Sequence, residues 1–117
     1  MDQRVLVCGG RYYANKDLLF RVLDTAHAAN PIVLLIHGGA SGADALADEW
    51  QKQRMVRTRR YNADWLRHGK AAGPIRNQLM LDDGKPDLVI AFPGGRGTAD
   101  MVRRADAAGV PVVRVTK

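Results

Sequence analysis

Five short apolar runs mark the chain, and longer segments with helical periodicity separate them. The runs cover residues 5–7, 32–36, 56–61, 88–92 and 110–115. Four of them are nearly continuous in Val, Ile and Leu, which is typical of strands buried on both faces of a parallel sheet. The third run is polar and charged, which is typical of a strand at the edge of a sheet. The pattern therefore predicts five strands, with the third at an edge.

Four helices are predicted between these strands, at residues 17–29, 43–54, 74–83 and 99–108. Pro74 suits the first turn of the third helix, and Thr98 is a candidate N-cap for the fourth. Strands and helices that alternate in this way form a parallel sheet with right-handed crossovers and helices on both faces. The predicted fold class is therefore α/β, a single Rossmann-like doubly wound sheet. The strand order 3-2-1-4-5 is the simplest one that places the charged third strand at an edge.

Length and composition favour one globular domain over residues 1–117, with 46% hydrophobic and 26% charged residues. No apolar run approaches the roughly 20 residues of a membrane helix, and no signal-peptide pattern is present. We therefore expect a soluble, cytoplasmic protein that binds no membrane. Cys8 is the only cysteine, which excludes an intrachain disulfide and a zinc site built on cysteines. His37 and His68 lack partners at ligand spacing, so neither a metal nor a cofactor is predicted.

The positive charge is concentrated in one stretch. The chain has a net charge of +6, but residues 51–80 contain eight Lys or Arg and a single acid, Asp64, so this stretch carries +7 and the rest −1. A basic patch indicates phosphate-bearing partners, either nucleic acid or small phosphorylated ligands. A solvated face or a charged edge strand explains the cluster at residues 57–60 equally well. Both interpretations stay open at this point.

Three glycine pairs follow the first, second and fourth predicted strands: Gly9-Gly10, Gly38-Gly39 and Gly94-Gly95. In the predicted order these strands are neighbours, and ligands of open α/β sheets bind at the switch point between the first and fourth. Glycine lets backbone N–H groups approach an anion, and a following helix N-terminus adds positive partial charge. A single pair is more simply a tight turn, but three equivalent pairs predict a phosphate-binding site. Neither a Walker A motif nor a dinucleotide-binding motif is present.

Five sequence motifs occur in order along almost the whole chain. They are Val-Cys-Gly-Gly-Arg-Tyr-Tyr at 7–13, His-Gly-Gly-Ala-Ser-Gly-Ala-Asp at 37–44, Ala-Asp-Trp at 63–65, Gly-Pro-Ile-Arg-Asn-Gln at 73–78 and Phe-Pro-Gly-Gly-Arg-Gly-Thr-Ala-Asp at 92–100. Together they resemble the YspA-like group of the SLOG superfamily. That superfamily includes the LOG phosphoribohydrolases, which release a base from nucleoside monophosphates, and the DNA-processing protein DprA. The resemblance implies a Rossmann-like fold that binds nucleotide ligands.

The comparison with LOG enzymes also implies candidate catalytic residues. Residues 93–98 match the phosphate-binding motif Pro-Gly-Gly-x-Gly-Thr, and Arg76 resembles the catalytic arginine. The family's glutamate position is occupied by Met101, although cleavage of an N-glycosidic bond needs a carboxylate near the sugar. Asp100, about 100° away around a helix, is expected to point elsewhere. Asp44 and Asp64 are the carboxylates that could substitute, so Arg76, Asp44 and Asp64 are the catalytic candidates, and enzymatic activity stays an open question.

The sequence thus predicts a protein that binds a nucleotide or nucleotide-derived ligand, with N-glycosidic hydrolysis as an open addition. The alternatives are a nucleic-acid-binding module like DprA, with weak binding because few aromatic residues are available, and a non-catalytic sensor of a nucleotide signal. A homo-oligomer is also expected. The candidate ligand-binding residues lie in the glycine loops, in the long stretch at 62–73 predicted to be irregular, and at the third helix: Gly9, Gly10, Arg11, Gly38, Gly39, Ser41, Asp44, Trp65, Arg76, Asn77, Pro93, Gly94, Gly95, Arg96, Gly97 and Thr98.

Overall fold

The sheet has the predicted topology. The computed structural model describes all 117 residues, and its five strands are all parallel, in the order β3-β2-β1-β4-β5. The strands are β1 (Gln3–Cys8), β2 (Ile32–His37), β3 (Thr58–Arg60), β4 (Leu88–Ala91) and β5 (Val112–Arg114). The charged strand β3 lies at an edge. The α/β fold class and the strand order are therefore confirmed.

Five α-helices connect the strands: α1 (Lys16–Ala29), α2 (Ala43–Arg54), α3 (Trp65–His68), α4 (Ala72–Asp82) and α5 (Arg96–Ala107). A short 3₁₀ helix, Gly69–Ala71, joins α3 to α4. The prediction of an irregular stretch at 62–73 was therefore wrong. The Asp64 side chain begins α3 by accepting a hydrogen bond from the backbone N–H of Arg67 (3.1 Å), and Gly69 ends it with a φ of 55°. None of these helices is long and apolar enough to cross a membrane.

The start of α5 also differs from the prediction. Thr98 is not the N-cap, because the helix begins at Arg96 and Gly95 occupies the N-cap position. The backbone N–H of Ala99 donates to the carbonyl of Gly95 at 3.0 Å, which makes residues 96–98 part of the first turn. Helix α4 likewise begins at Ala72, so that Pro74 lies in its first turn, where its missing N–H costs no helical hydrogen bond.

The core is divided by the sheet into two apolar clusters. Val5 and Val7 of β1 pack with residues of α1 and α2, among them the fully buried Trp50. Leu6 of β1 faces the opposite cluster, which includes Met101 of α5 and residues of α4. Because successive strand residues point to opposite faces, both faces of the central strand are covered by helices, and the exposed carboxyl ends of the strands are left as the place for a site.

Candidate functional site

A cleft of about 1090 Å³ lies beyond the carboxyl ends of β1 and β4, at the point where the strand order reverses. That volume lies just above the usual range of small-molecule sites, about 300–1,000 Å³. All of the predicted ligand-binding residues except Gly38, Gly39 and Ser41 line this cleft. The sequence motifs are therefore brought together at one edge of the sheet, as parallel strands require.

The glycine loop after β4 presents free backbone donors to the cleft. The N–H groups of residues 94–98 have no acceptor within the chain, and no side chain caps the N-terminus of α5. A Cβ added at Gly95 or Gly97 would meet no atom within 4 Å. Because α5 is 12 residues long, its dipole adds positive partial charge to these donors. Unpaired N–H groups at a helix N-terminus are donors suited to an anion.

The glycine loop after β1 is packed instead of open. The N–H of Gly10 donates to the carbonyl of Pro93 at 2.9 Å, and the carbonyl of Gly10 accepts from Ala43 at 3.1 Å. A Cβ on Gly9 would lie 2.6 Å from the Cβ of Ala43 and 3.0 Å from that of Phe92. This glycine pair therefore joins the β1 loop, the β4 loop and α2 in close contact.

The glycine loop after β2 is also paired within the protein. Gly38 and Ala40 donate their N–H groups to Oδ2 of Asp44 at 3.1 and 3.2 Å, and Gly39 donates to Nδ1 of His37 at 3.0 Å. The guanidinium of Arg76 lies against Gly38, where it would collide with any Cβ. These contacts are the reason that Gly38 and Gly39 do not line the cleft. Ser41 also lies outside it, since its hydroxyl donates to the carbonyl of Arg11 at 3.2 Å.

Asp44 is the one predicted catalytic carboxylate that lines the cleft. It is only 6% exposed, and burial raises its pKa, although the N–H of Ala40 and the charges of His37 and Arg76 partly offset that effect. Its second oxygen, Oδ1, accepts no hydrogen bond from the chain, and no buried side-chain oxygen or nitrogen lacks a partner. Oδ1 is therefore accessible. Asp64 does not line the cleft, because its carboxylate caps α3.

Arg76 extends from α4 into the cleft and is held by oxygens that carry no charge. Its Nη1 donates to the carbonyl of Gly38 at 2.6 Å and to that of Tyr61 at 3.3 Å, and its Nε donates to Oδ1 of Asn77 at 3.1 Å. It forms no ion pair with a carboxylate. Burial lowers the pKa of Arg76, the charge of Asp44 raises it in part, and the charge of Arg11 lowers it further.

Asn77 connects α4 to the first turns of α5. Its Nδ2 donates to the carbonyl of Gly97 at 3.2 Å and to Oδ2 of Asp100 at 3.0 Å. Asp100 also accepts hydrogen bonds from Arg103 and Arg104, at 2.6 and 2.8 Å. Burial alone would raise the pKa of Asp100, but the hydrogen bonds from Arg104 and Asn77 outweigh burial and hold the pKa below its ordinary value.

The orientations of Asp100 and Met101 are the reverse of those expected. Asp100 lines the cleft, whereas Met101 is 0% exposed and packs in the core with Ala105 one turn later. The expectation that Asp100 points elsewhere was wrong, because the side of α5 that carries Met101 and Ala105 packs in the core and position 100 lies toward the cleft. Since Asp100 is already bound to two arginines, it remains an ionised carboxylate at neutral pH.

The cleft has a cationic lining. Five basic side chains line it, against the two carboxylates Asp44 and Asp100: Arg11, Lys70, Arg76, Arg96 and Arg103. Only Lys70 and Arg76 come from the basic stretch at 51–80. Other members of that stretch form ion pairs elsewhere, such as Arg54 with Asp24 and Arg59 with Asp83. The charge excess of the stretch is thus divided between the cleft and the outer surface.

Comparison with known proteins decides the family. The profile of the YspA, cpYpsA-related SLOG family matches residues 3–68. The Gene 61 protein of Mycobacterium phage D29 is 39% identical over an alignment of 119 positions, which covers 95% of this chain and 94% of that protein. The chain belongs to the YspA, cpYpsA-related SLOG family. The resemblance of the sequence motifs is thereby confirmed.

The fold of this SLOG chain also occurs in a larger enzyme. The crystal structure of UDP-GlcNAc 2-epimerase from Neisseria meningitidis bound to UDP-GlcNAc superposes with a TM-score of 0.57 at 16% sequence identity. The match covers 98% of this chain but only 32% of the epimerase chain. At that identity the likeness shows the fold alone, and it supports the Rossmann-like assignment.

Several cleft residues of the SLOG chain were not predicted from its sequence: Tyr12, Tyr13, Lys70, Asp100 and Arg103. The tyrosines directly follow a predicted site residue, Arg11, and Arg103 is one helical turn from Asp100, so proximity was the available signal. Cys8 also lines the cleft, but burial and then the charge of Asp44 raise its pKa to about 12, which keeps the thiol protonated and unreactive. No group of three or more His, Cys, Asp or Glu side chains is arranged to hold a metal ion.

Proposed function

We propose that this protein binds a nucleotide or nucleotide-derived ligand in the cleft, with a phosphate on the backbone N–H groups of residues 94–98. The free donors at the start of α5 are the observation that carries the proposal. The N–H groups of Gly10, Gly38 and Gly39 are already paired, so among the three glycine pairs only the one after β4 keeps both of its N–H groups for a phosphate. Membership of the SLOG family and the occurrence of the fold in an epimerase bound to a nucleotide sugar support the same ligand class.

The remainder of the ligand is expected to lie between the β1 loop and α3. Trp65 lines the cleft with 49% of its surface exposed, and the guanidinium of Arg11 lies 5.5 Å from the centre of a Trp65 ring. A half-exposed indole provides a flat surface on which a nucleobase stacks, with a contribution of about 1–3 kcal/mol. A ligand that extends from Gly95 to Trp65 would use both the polar and the apolar parts of the cleft.

The test is calorimetric titration of nucleoside monophosphates into the wild type and Gly95→Val. The added side chain projects into the space that the phosphate needs, so we expect binding at least about tenfold weaker, or about 1.4 kcal/mol, with the fold intact. Ala107→Val, on the exposed far end of α5, is the matched control and should bind normally. Unchanged affinity in Gly95→Val, for a ligand that the wild type binds, would refute this placement of the phosphate.

A second question is whether the protein hydrolyses the ligand that it binds. Met101 is buried and Asp100 is bound to arginines, so Asp44 is the carboxylate in the cleft that is left to act on a sugar. Oδ2 of Asp44 already binds two backbone N–H groups, which is a structural role. We therefore expect little or no release of free base from nucleoside monophosphates, and we expect any residual rate to require Arg76 and Asp44. Chromatography of the reaction products measures the rate of base release, and robust turnover by Asp44→Asn would refute the role of Asp44.

A further inference from the structure

Arg76 is a partly buried cation whose anionic partner is missing from the chain. Nε and Nη1 donate to neutral oxygens, and Nη2 has no acceptor. Because no buried side-chain nitrogen lacks a partner, Nη2 reaches the open space of the cleft that Arg76 lines. Withdrawing a guanidinium from water is costly unless an anion or a full set of hydrogen bonds compensates. The site is therefore incomplete without an external anion.

A second cation, Arg11, acts on Arg76 through its charge. The charge of Arg11 contributes to the lowered pKa of Arg76, so the two guanidinium groups repel each other. The Arg11 side chain has no ion pair or hydrogen bond, and only its contact with Trp65 places it. Both arginines line the cleft and neither forms an ion pair, so both are able to bind an anion through paired N–H donors.

Asp44 does not fill this role. It interacts with Arg76 through its charge but forms no ion pair with it, and its Oδ2 is occupied by the N–H groups of Gly38 and Ala40. Its raised pKa further favours the neutral form. The carboxyl group therefore holds the β2 loop in place and forms an ion pair with neither arginine.

The arginine pair is separate from the donors at the start of α5. Arg76 contacts the loops that follow β2 and β3, at Gly38 and Tyr61, whereas residues 94–98 follow β4, on the far side of β1. Asn77 lies between the two places and binds to both, through Nε of Arg76 and the carbonyl of Gly97. The cleft thus has donors on both sides of Asn77, the N–H groups of residues 94–98 on one side and Arg76 on the other.

We propose that Arg76 and Arg11 form a second anion-binding subsite, so that the ligand carries two separate anionic groups. The ligand class is a nucleotide with two phosphate groups, one bound by the N–H groups of residues 94–98 and the other by the arginine pair. This inference rests on the proposed function, because it identifies the ligand of the same cleft. Lys70, which also lines the cleft, adds a third positive charge for such a ligand.

The test compares adenosine 5′-monophosphate with adenosine 5′-diphosphate and adenosine 3′,5′-bisphosphate by calorimetry. The wild type should bind at least one of the doubly phosphorylated nucleotides about tenfold or more tightly than the monophosphate. Arg11→Gln and Arg76→Gln should reduce that preference to less than about threefold, because they weaken binding of the doubly phosphorylated nucleotides more than binding of the monophosphate. Arg11→Gln is the safer variant, because Arg11 is exposed and its side chain makes no hydrogen bond. Arg67→Gln, an exposed arginine outside the cleft, is the matched control.

Equal affinity of the wild type for all three nucleotides would overturn the inference, and so would an equal loss for all of them in Arg11→Gln and Arg76→Gln. Binding of no nucleotide at all would refute the proposed function instead. In that case inorganic phosphate is the probe, followed by NMR shifts of the Gly38 amide and the Trp65 indole N–H. Shifts in the wild type that are lost in Arg11→Gln would support the arginine subsite alone, and the absence of shifts would overturn it.

Discussion

The glycine loops after β1 and β4 look alike in sequence but differ in the hydrogen bonds of their backbone N–H groups. In the β1 loop, the N–H of Gly10 is paired with Pro93 and a Cβ on Gly9 would collide with Ala43 and Phe92. In the β4 loop, the N–H groups of residues 94–98 are free and Gly95 faces empty space. Gly94 resembles the first pair, since a Cβ there would lie 2.7 Å from the backbone N of Gly10, whereas Gly95 permits approach of a ligand. Which role a glycine pair has is therefore decided by where its N–H groups donate.

The largest effect is expected at Met101, which is buried, whereas Gly95 at the start of the same helix is open. Met101→Glu places a carboxylate at a position that is 0% exposed, so it should lower the free energy of unfolding at pH 7 by about 3–5 kcal/mol and create no base release. Because burial raises the pKa of such a glutamate, stability should recover as the pH falls toward its ordinary value of about 4.3. Met101→Leu, which should cost less than about 1.5 kcal/mol, is the control. Urea denaturation measures the free energy of unfolding, and product chromatography measures base release. A stable, active Met101→Glu would refute the buried orientation.

A direct comparison of the two loops uses the same substitution in each. Gly9→Ala should lower the free energy of unfolding by about 2 kcal/mol, because its Cβ overpacks against Ala43 and Phe92. Gly95→Ala should lower it by about 1 kcal/mol or less, since nothing lies within reach of the new Cβ and only the preference of the N-cap for glycine over alanine is lost. The midpoints of urea denaturation give both values. Similar losses in the two variants would remove the distinction between a packed loop and an open one.

The smallest effect concerns Asp44, which pairs the N–H groups of the β2 loop. Its folded-state pKa is raised above 3.8, so the stability it contributes is present at low pH and is lost as the pH rises through the raised pKa. The wild type should therefore lose stability relative to Asp44→Asn as the pH rises from about 4 through the raised pKa. Asp24→Asn should show the opposite slope, because the hydrogen bond from Arg54 lowers the pKa of Asp24. Parallel pH profiles of wild type and Asp44→Asn would contradict the effect of burial.

The fold could be predicted because strands that are buried on both faces of a sheet consist of continuous apolar runs, which are easily recognised in the sequence. The Val, Ile and Leu runs marked the strands, and the charge of Thr58–Arg60 identified an edge strand. Helix α3 was missed because four residues are too few to show a 3.6-residue period. The cap at Asp64 and the glycine at position 69 were the local signals of that helix.

The site was harder to predict because it depends on contacts between distant segments. The sequence placed Arg76, Asn77 and the β4 loop among the candidates, and the structure brings them to one cleft. No local pattern shows that His37 and Asp44 occupy the N–H groups of the β2 loop. The orientation of Asp100 was missed for another reason. That expectation followed the family's glutamate position, Met101, but Met101 and Ala105 are positions of α5 that pack in the core.

The central position of β1 also has a consequence for how the chain folds. Val5 pairs with Leu35 of β2 on one side and with Leu88 of β4 on the other, so the second edge of this strand stays unpaired until the last third of the chain has been synthesised. A sheet without hairpins has only non-local strand pairs and folds slowly for that reason. We expect the segment from β1 to β3 to assemble first on the ribosome, with an exposed, apolar strand edge that attracts chaperones or other nascent chains. The free donors of α5 belong to the segment that closes this edge, so ligand binding is acquired in the same step that ends the exposure.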